Sequence, residues 1–348
     1  MNSFHQGFIE GQATNQQLFQ TVRLIGEYKG KQELFKQQMS QVLKALRQAA
    51  IIQSTESSNR IEGITVPLKR IQELVSEKNT PRDTNEKEIA GYRDVLTTIH
   101  NSYSHIPFTP NVVLQLHHDL YQFGVNTGGH WKTVDNEIAV TYPDGTTFVR
   151  FRPTPADETP AAMERLHDRF NYLWESGTID PLLLIPTYIL DFLCIRPFLD
   201  GNERMARLLT LLLLYKAGYE VGRFISLERI VENTKENYYD TLYRASQNWH
   251  EGKHELLPWW EYFLGVMLLS AYREFEERVG TVTSAKGTKT EIVLDAISNL
   301  PEEFSVGELQ EKCPTVSRDL IRHVLRQKRK VGNLECLGRG VKARWRKR

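Results

Sequence analysis

The chain has 348 residues, 40% hydrophobic and 25% charged, a globular composition that excludes wholesale disorder and fibrous repeats. Lys and Arg number 44 against 43 Asp and Glu, so the whole is nearly neutral. Three widely spaced cysteines, Cys194, Cys313 and Cys336, make neither a disulfide framework nor a zinc cluster and fit a reducing compartment. The N-terminal stretch lacks the basic and apolar parts of a signal peptide. The greasiest runs, Pro181–Leu193 and Leu208–Tyr215, fall short of the ~20 residues of a membrane span. The expectation is a cytoplasmic protein with no membrane partner. The charge is uneven along the chain: residues 1–283 carry 29 basic and 35 acidic side chains, and residues 284–348 carry 15 and 8. Such a step marks a domain boundary, and it coincides with the small-residue stretch Gly280–Gly287, which reads as a linker.

In chain order, apolar residues at threes and fours predict helices over Gln32–Ser54, Pro67–Ser76, Asn85–Ser104 and Asn111–Phe123. The period then changes. Glu137–Tyr142 and Thr146–Phe151 are β-rich and flank Pro143-Asp144-Gly145, a hairpin signal. Helical spacing resumes over Thr159–Ser176, Pro181–Ile195, Asn202–Ala217, Lys235–Trp249 and Leu257–Val279. The main body is thus a helical domain carrying one hairpin.

Between two apolar helices stands Ile195-Arg-Pro-Phe-Leu-Asp-Gly-Asn-Glu-Arg-Met-Ala-Arg207. Asn202 is a natural N-cap, and Gly201 permits close backbone approach. A helix N-terminus presents free N–H groups and favours anions. Arg204 and Arg207 are three apart and share a face. Two guanidinium forks beside free N–H groups suit a polyphosphate, and Asp200 suits a magnesium ion held between phosphates. Taken alone, the same residues also describe an ordinary corner with solvated arginines.

The stretch resembles the signature of the Fic (Fido) family, His-x-Phe-x-Asp/Glu-Gly-Asn-Gly-Arg-x-x-Arg. Phe198, Asp200, Gly201, Asn202, Arg204 and Arg207 stand at matching places. Ser58-Asn-Arg-Ile-Glu62-Gly63 resembles the family's inhibitory-helix pattern, Ser/Thr-x-x-x-Glu-Gly/Asn. The hairpin after Lys132–Asn136 resembles the family's flap, which docks target segments by strand pairing. The resemblance spans roughly residues 30–280. It implies a mainly α Fic-type fold and kinship with enzymes that move AMP from ATP to protein hydroxyls. It further implies ATP or another nucleotide as ligand, magnesium on Asp200, no covalent cofactor, and an unidentified target protein on hairpin 137–151.

Two departures bear on function. The family's histidine is a general base, and Arg196 stands in its place. A guanidinium stays protonated and cannot accept that proton. The family's second glycine, part of the phosphate-binding turn, is Glu203, which brings a negative charge to the anion's place. The resemblance also implies that Glu62 reaches Arg207 and blocks placement of the γ-phosphate. The expected nucleotide contacts are therefore Gly201, Asn202, Glu203, Arg204 and Arg207, with Ser58, Glu62 and Gly63 inhibitory and catalysis impaired.

His250-Glu-Gly-Lys-His254 matches the H-E-x-x-H string of zinc proteases, with Glu274 as a conceivable third ligand, but Gly252 and Pro258 work against the helix that this chemistry needs. His117-His118 reads as a solvated or half-buried pair, and Trp259-Trp260 as core or interface.

The C-terminal segment reads as helices over Thr290–Asn299, Ser305–Cys313 and Ser317–Arg329, then two short strands around Gly338-Arg-Gly340. Three helices and a basic hairpin resemble a winged helix, whose third helix enters the major groove of DNA. From Arg318 onward there are twelve Lys and Arg against two Asp and Glu, the footprint of a phosphate-backbone binder. Protein docking or homodimer contacts are the competing use. The expected organisation is an N-terminal helical region with the inhibitory helix (1–80), a Fic core (81–280), a linker (281–287) and a winged helix (288–348). Besides an impaired AMP transferase, the sequence allows a non-enzymatic DNA-binding regulator or sensor, or a Fic protein with different phosphate chemistry.

Overall fold

Residues 181–195 and 208–214 are apolar almost all round, which demands burial on every side, and they lie in the two central helices of the protein. The computed structural model describes residues 3–38, 40–76, 79–124, 128–141, 144–284, 288–313, 316–338 and 343–348. In chain order the elements are α1 (Gln16–Gln38), α2 (Ser40–Ile61), α3 (Leu68–Ser76), α4 (Thr84–Ser102) and α5 (Pro110–Leu120). Strands β1 (Ile138–Thr141) and β2 (Thr147–Phe151) follow, then α6 (Thr159–Ser176), α7 (Pro181–Ile195), α8 (Asn202–Lys216), α9 (Leu227–Asn233) and α10 (Lys235–Ser246). A continuous helical run comprises α11 (Leu257–Glu261), a π-helical stretch Tyr262–Leu268 and α12 (Leu269–Ser284). The C-terminal elements are α13 (Thr288–Asn299), β3 (Glu303–Ser305), α14 (Val306–Lys312), α15 (Arg318–Lys330), β4 (Leu334–Leu337) and β5 (Arg344–Lys347). No helix among the described residues is long and apolar enough to cross a membrane.

Contacts divide the chain into two compact units, Met1–Lys29 with Arg47–Tyr272, and Gly30–Leu46 with Arg273–Arg348. The division differs from the expected one: Gly30–Leu46 groups with the C-terminal residues, and the C-terminal part of the second unit begins at Arg273 rather than at 288. Residues 47–80 belong with the helical body, because the second half of α2 buries a polar face, Ser54 to Asn59, against it. The stretch expected as a linker is helical through Ser284, and residues 285–287 lie outside the described residues. Sequence periodicity also missed the first half of α1, all of α9, and β3.

In the first unit α7 packs on α6 and α8, and α8 also meets α4. Asp180 caps α7 by accepting from Leu182 N at 2.8 Å. Trp259 and Trp260 are core residues whose indole N–H groups donate to α7, at Pro186 O (2.7 Å) and Thr187 Oγ1 (3.0 Å). Among the described residues, strands β1 and β2 pair only with each other, and ahead of β2 Asp144 Oδ1 accepts from Thr146 N at 2.9 Å, with Gly145 at φ 84°.

In the second unit α13, α14 and α15 pack on one another, and β3-β5-β4 form an antiparallel sheet. Phe304, Leu309, Ile321, Val324, Leu325 and Trp345 make its core. Ser305 and Glu308 form a reciprocal capping box at the start of α14.

Four imidazoles are buried in the first unit. Burial pulls His100 down to about 3 and His117, His167 and His254 to about 4. An unfolded histidine titrates near 6.5. Between these values the unfolded chain takes up protons that the folded one refuses, so stability falls as pH falls below 6.5, by up to ~1.4 kcal/mol per pH unit per histidine. Buried Asp191, whose carboxyl is pushed up by burial, opposes this as one group against four. The urea midpoint at pH 5 is therefore expected to lie below that at pH 7; an equal or higher midpoint at pH 5 would contradict neutral buried imidazoles.

Candidate nucleotide site

The chain reverses between α7 and α8 within six residues. Pro197 ends α7 by disfavouring helical backbone at Arg196, which instead lies in the left-handed region at φ 44° while its N–H still closes on Phe192 O at 2.9 Å. For a non-glycine residue this conformation costs roughly 1–2 kcal/mol. The buried Asn202 side chain closes the loop from the other end: its Oδ1 accepts from Phe198 N at 2.9 Å and its Nδ2 donates to Phe198 O at 2.8 Å. Gly201 lies at φ 75°, and a Cβ there would come within 2.8 Å of Tyr121 Oη, so no larger residue fits.

α5 supports the loop from below. His117 Nδ1 accepts from Gly129 N at 2.9 Å, which leaves Nε2–H to donate to Asp200 O at 3.1 Å. Its ring stacks on Phe198 with centroids 3.6 Å apart. With both nitrogens committed, His117 has no lone pair to offer a substrate. Lys132 ties the base of the hairpin to the same loop: its Nζ donates to Ile195 O (3.0 Å) and Asn136 Oδ1 (3.1 Å), and its backbone N–H to Pro197 O (2.8 Å). Burial pulls this ammonium down to about 8, with Asp135 opposing the shift and Arg196 adding to it.

Each arginine of the cradle has a carboxylate partner. Arg196 Nη1 donates to Glu203 Oε1, an ion pair whose side chains are only 20% and 17% exposed. Arg204 Nη1 lies 2.7 Å from Glu88 Oε2, while its Nη2 donates to Tyr121 Oη at 2.7 Å and stands 3.7 Å from Asp200 Oδ2. Arg207 donates through Nε to Ser58 Oγ (2.8 Å) and through Nη2 to Ser58 O (2.9 Å) and Glu62 Oε1 (2.7 Å). Burial disfavours the Arg207 cation, but Glu62, Tyr92 and Tyr238 together outweigh it and hold it protonated. Arg207 Nη1 has no hydrogen-bond partner among the described residues, a spare buried donor. Gly63, at φ 81°, ends the helical segment that carries Ser58 and Glu62.

Asp200 is 79% exposed at its side chain. Burial of its remainder favours the neutral form, but the Tyr121 hydroxyl (2.7 Å), Gly201 N–H and Arg204 outweigh it and keep the carboxyl ionised. An ionised, exposed oxygen ligand fits magnesium, which is bound by one or two carboxylates together with substrate phosphates.

In front of the Arg196–Glu203 pair lies a cavity of about 120 Å³, walled by Ile138 and Phe151 of the hairpin, Leu193 of α7, and Tyr239, Leu242 and Tyr243 of α10. Apolar cavities of about 150 Å³ take one aromatic ring. The hairpin is held over it by Arg150, whose guanidinium lies 4.2 Å from the Tyr243 ring centroid, and by Phe151 stacked on His250.

The loop, α5, the hairpin, α7 and α8 up to Leu214 lie within residues 107–214, and these residues match the Fic/DOC family. Residues 107–214 form a Fic/DOC-type domain. Similar folds are those of a Fic family protein from Desulfovibrio desulfuricans G20 (TM-score 0.62, 21% identity, 97% of each chain) and a Fic domain containing signaling protein from Bacteroides thetaiotaomicron VPI-5482 (0.61, 21%, 76% of this chain and 97% of that one). Fic-1 from C. elegans is also similar (0.55, 18%, 77% and 72%). Comparison with curated proteins returned no match.

Ser58 and Glu62, distant in sequence, meet Arg207 of this motif. The H-E-x-x-H string lies on non-helical turns, with His250 on Arg152 O (2.7 Å) and His254 on Ser3 Oγ (2.7 Å). Sequence reasoning passed over Lys132, Tyr121, Glu88, Tyr239 and Tyr243. Tyr239 and Tyr243, four apart on α10, were the one readable signal of an aromatic wall. Lys132→Met leaves two acceptors of the loop unpaired and is expected to cost about 1–3 kcal/mol by chemical denaturation. An unchanged midpoint would show that the clamp carries no stability.

Proposed function

We propose that the Fic domain binds a nucleotide, with ATP and magnesium the best fit, and that its capacity to transfer AMP to protein hydroxyls is impaired. The observation that carries this reading is the Arg196–Glu203 ion pair. It lies in the first turn of α8, where free N–H groups and the helix dipole would otherwise receive phosphates. Glu203 takes the anion's position, and Arg196 holds it there.

The chemistry of transfer needs a group that removes the proton of the attacking hydroxyl. Arg196 stays protonated, His117 has both nitrogens engaged, and the Lys132 ammonium is committed to two acceptors. Absence of a positioned base forfeits about 10²–10⁴ in rate. Asp200 is the residue that would hold magnesium, which would neutralise phosphate charge. Arg207 Nη1 is the donor still open to an anion, and the Tyr239–Tyr243 cavity suits a flat base. The Ser58 and Glu62 contacts support an inhibitory role for α2, because Glu62 competes with any phosphate for Arg207. The hairpin's unpaired edges support docking of an extended target segment by strand addition.

With labelled ATP and magnesium, the native chain is expected to incorporate little or no AMP into itself or into lysate proteins. Arg196→His with Glu203→Gly should recover part of that 10²–10⁴, and adding Glu62→Gly should raise transfer again. Robust labelling by the native chain, lost on changing Arg207, would overturn the reading.

A further inference from the structure

We propose that the exposed face of α15 in the second unit binds duplex DNA through its phosphates, an interaction separate from the nucleotide chemistry of the Fic domain. α15 turns Ile321, Val324 and Leu325 into the core. At 3.6 residues per turn, Arg318, Arg322, Arg326 and Arg329 fall within an arc of about 80°, and all four are exposed. Among the described residues none of the four forms an ion pair. The basic residues of the sheet differ: Arg346 is held by Glu303 (2.5 Å), Arg348 by Glu335 (3.2 Å), and Lys347 by Ser298 O and Leu300 O (2.8 and 2.5 Å). Glu303 and Glu335 thus neutralise arginines at the sheet, while the α15 row keeps its charge for an outside anion.

Geometry and composition favour a duplex over other polyanionic or apolar partners. Arg318 and Arg329 are eleven residues apart, about 16 Å along the helix axis, a row that follows a phosphate wall while the helix body enters a groove about 12 Å wide. Among the described residues, the large exposed hydrophobics of the unit are Leu34 and Val331, neither on the arginine arc. A protein-docking face would carry an aromatic or aliphatic anchor, and a membrane-binding helix would expose an apolar side. The order helix, strand, helix, helix, strand, strand supports reading the unit as a winged helix, in which the third helix enters the major groove.

The test is a gel-shift titration of the full chain on a mixed-sequence duplex of about 25 bp over a range of KCl concentrations. A shift is expected at low salt, with log K falling by about 0.9 per log unit of salt for each phosphate neutralised, so by about 3–4 for four contacts. Arg322→Glu with Arg326→Glu should lower that slope by about 1.8 and weaken low-salt binding roughly tenfold or more, with an unchanged circular dichroism spectrum. A charge-matched control on the first unit, Arg82→Glu with Arg165→Glu, should leave binding as it was. No shift at low salt, an equal loss in the control, or tighter binding to a single-stranded RNA of the same length would overturn the proposal. So would conversion of a dimer to a monomer by the α15 reversal in sedimentation with no effect on DNA.

Discussion

The closed loop between α7 and α8 is the constraint on which the site depends. Two apolar helices must be buried side by side, and only six residues are available to reverse the chain. Asn202 makes this feasible by bonding both the N–H and the C=O of Phe198. That closure fixes where α8 begins and brings Glu203 within reach of Arg196, which sits in a conformation that side chains rarely adopt. Gly201, the His117–Phe198 stack and the Lys132 clamp are responses to the same constraint, each filling or bonding a part of the loop that the tight reversal leaves exposed to the interior.

The electrostatics of the resulting cradle are self-contained. Arg196 faces Glu203, Arg204 faces Glu88, and Arg207 faces Glu62. A buried guanidinium without a partner carries a desolvation penalty of several kcal/mol, so three arginines gathered for an anion need company in its absence. Here each partner comes from the chain itself, from three different elements. Under the proposed nucleotide reading, a phosphate chain would have to replace these carboxylates, with Glu203 the hardest to displace because the helix dipole favours it as well.

Much of this was legible in the sequence because it is local. Helix α6, helix α7, the start of α8 and the hairpin follow from periodicity, caps and turn residues that act within a few positions. The motif residues are legible because one short string holds most of them. What was not legible depends on distance. Glu88 lies on a helix whose pattern shows only its apolar face, Tyr121 stands just past the end of α5, and Lys132 reads as one more charged residue in a polar stretch. The polar face of α2 ran against the rule that buried faces are apolar; Ser54, Ser57 and Ser58 are buried because α8 and α9 supply partners, among them Glu228 at 2.6 Å from Ser54 Oγ, while Asn59 donates back to Thr55 O of its own helix. The short α9 and β3 offer too few residues for a period to show.

The central claim, that the chain's own carboxylates occupy the place of the phosphates, is tested most directly by the affinity for magnesium ATP in calorimetry. The native chain is predicted to bind weakly, Glu203→Gly to bind roughly tenfold more tightly or better, since a charged hydrogen bond is worth about 1.5–3 kcal/mol, and Glu203→Gln to recover part of that gain by removing charge while keeping bulk. Tight binding by the native chain that Glu203→Gly leaves unchanged or weakens would contradict the account.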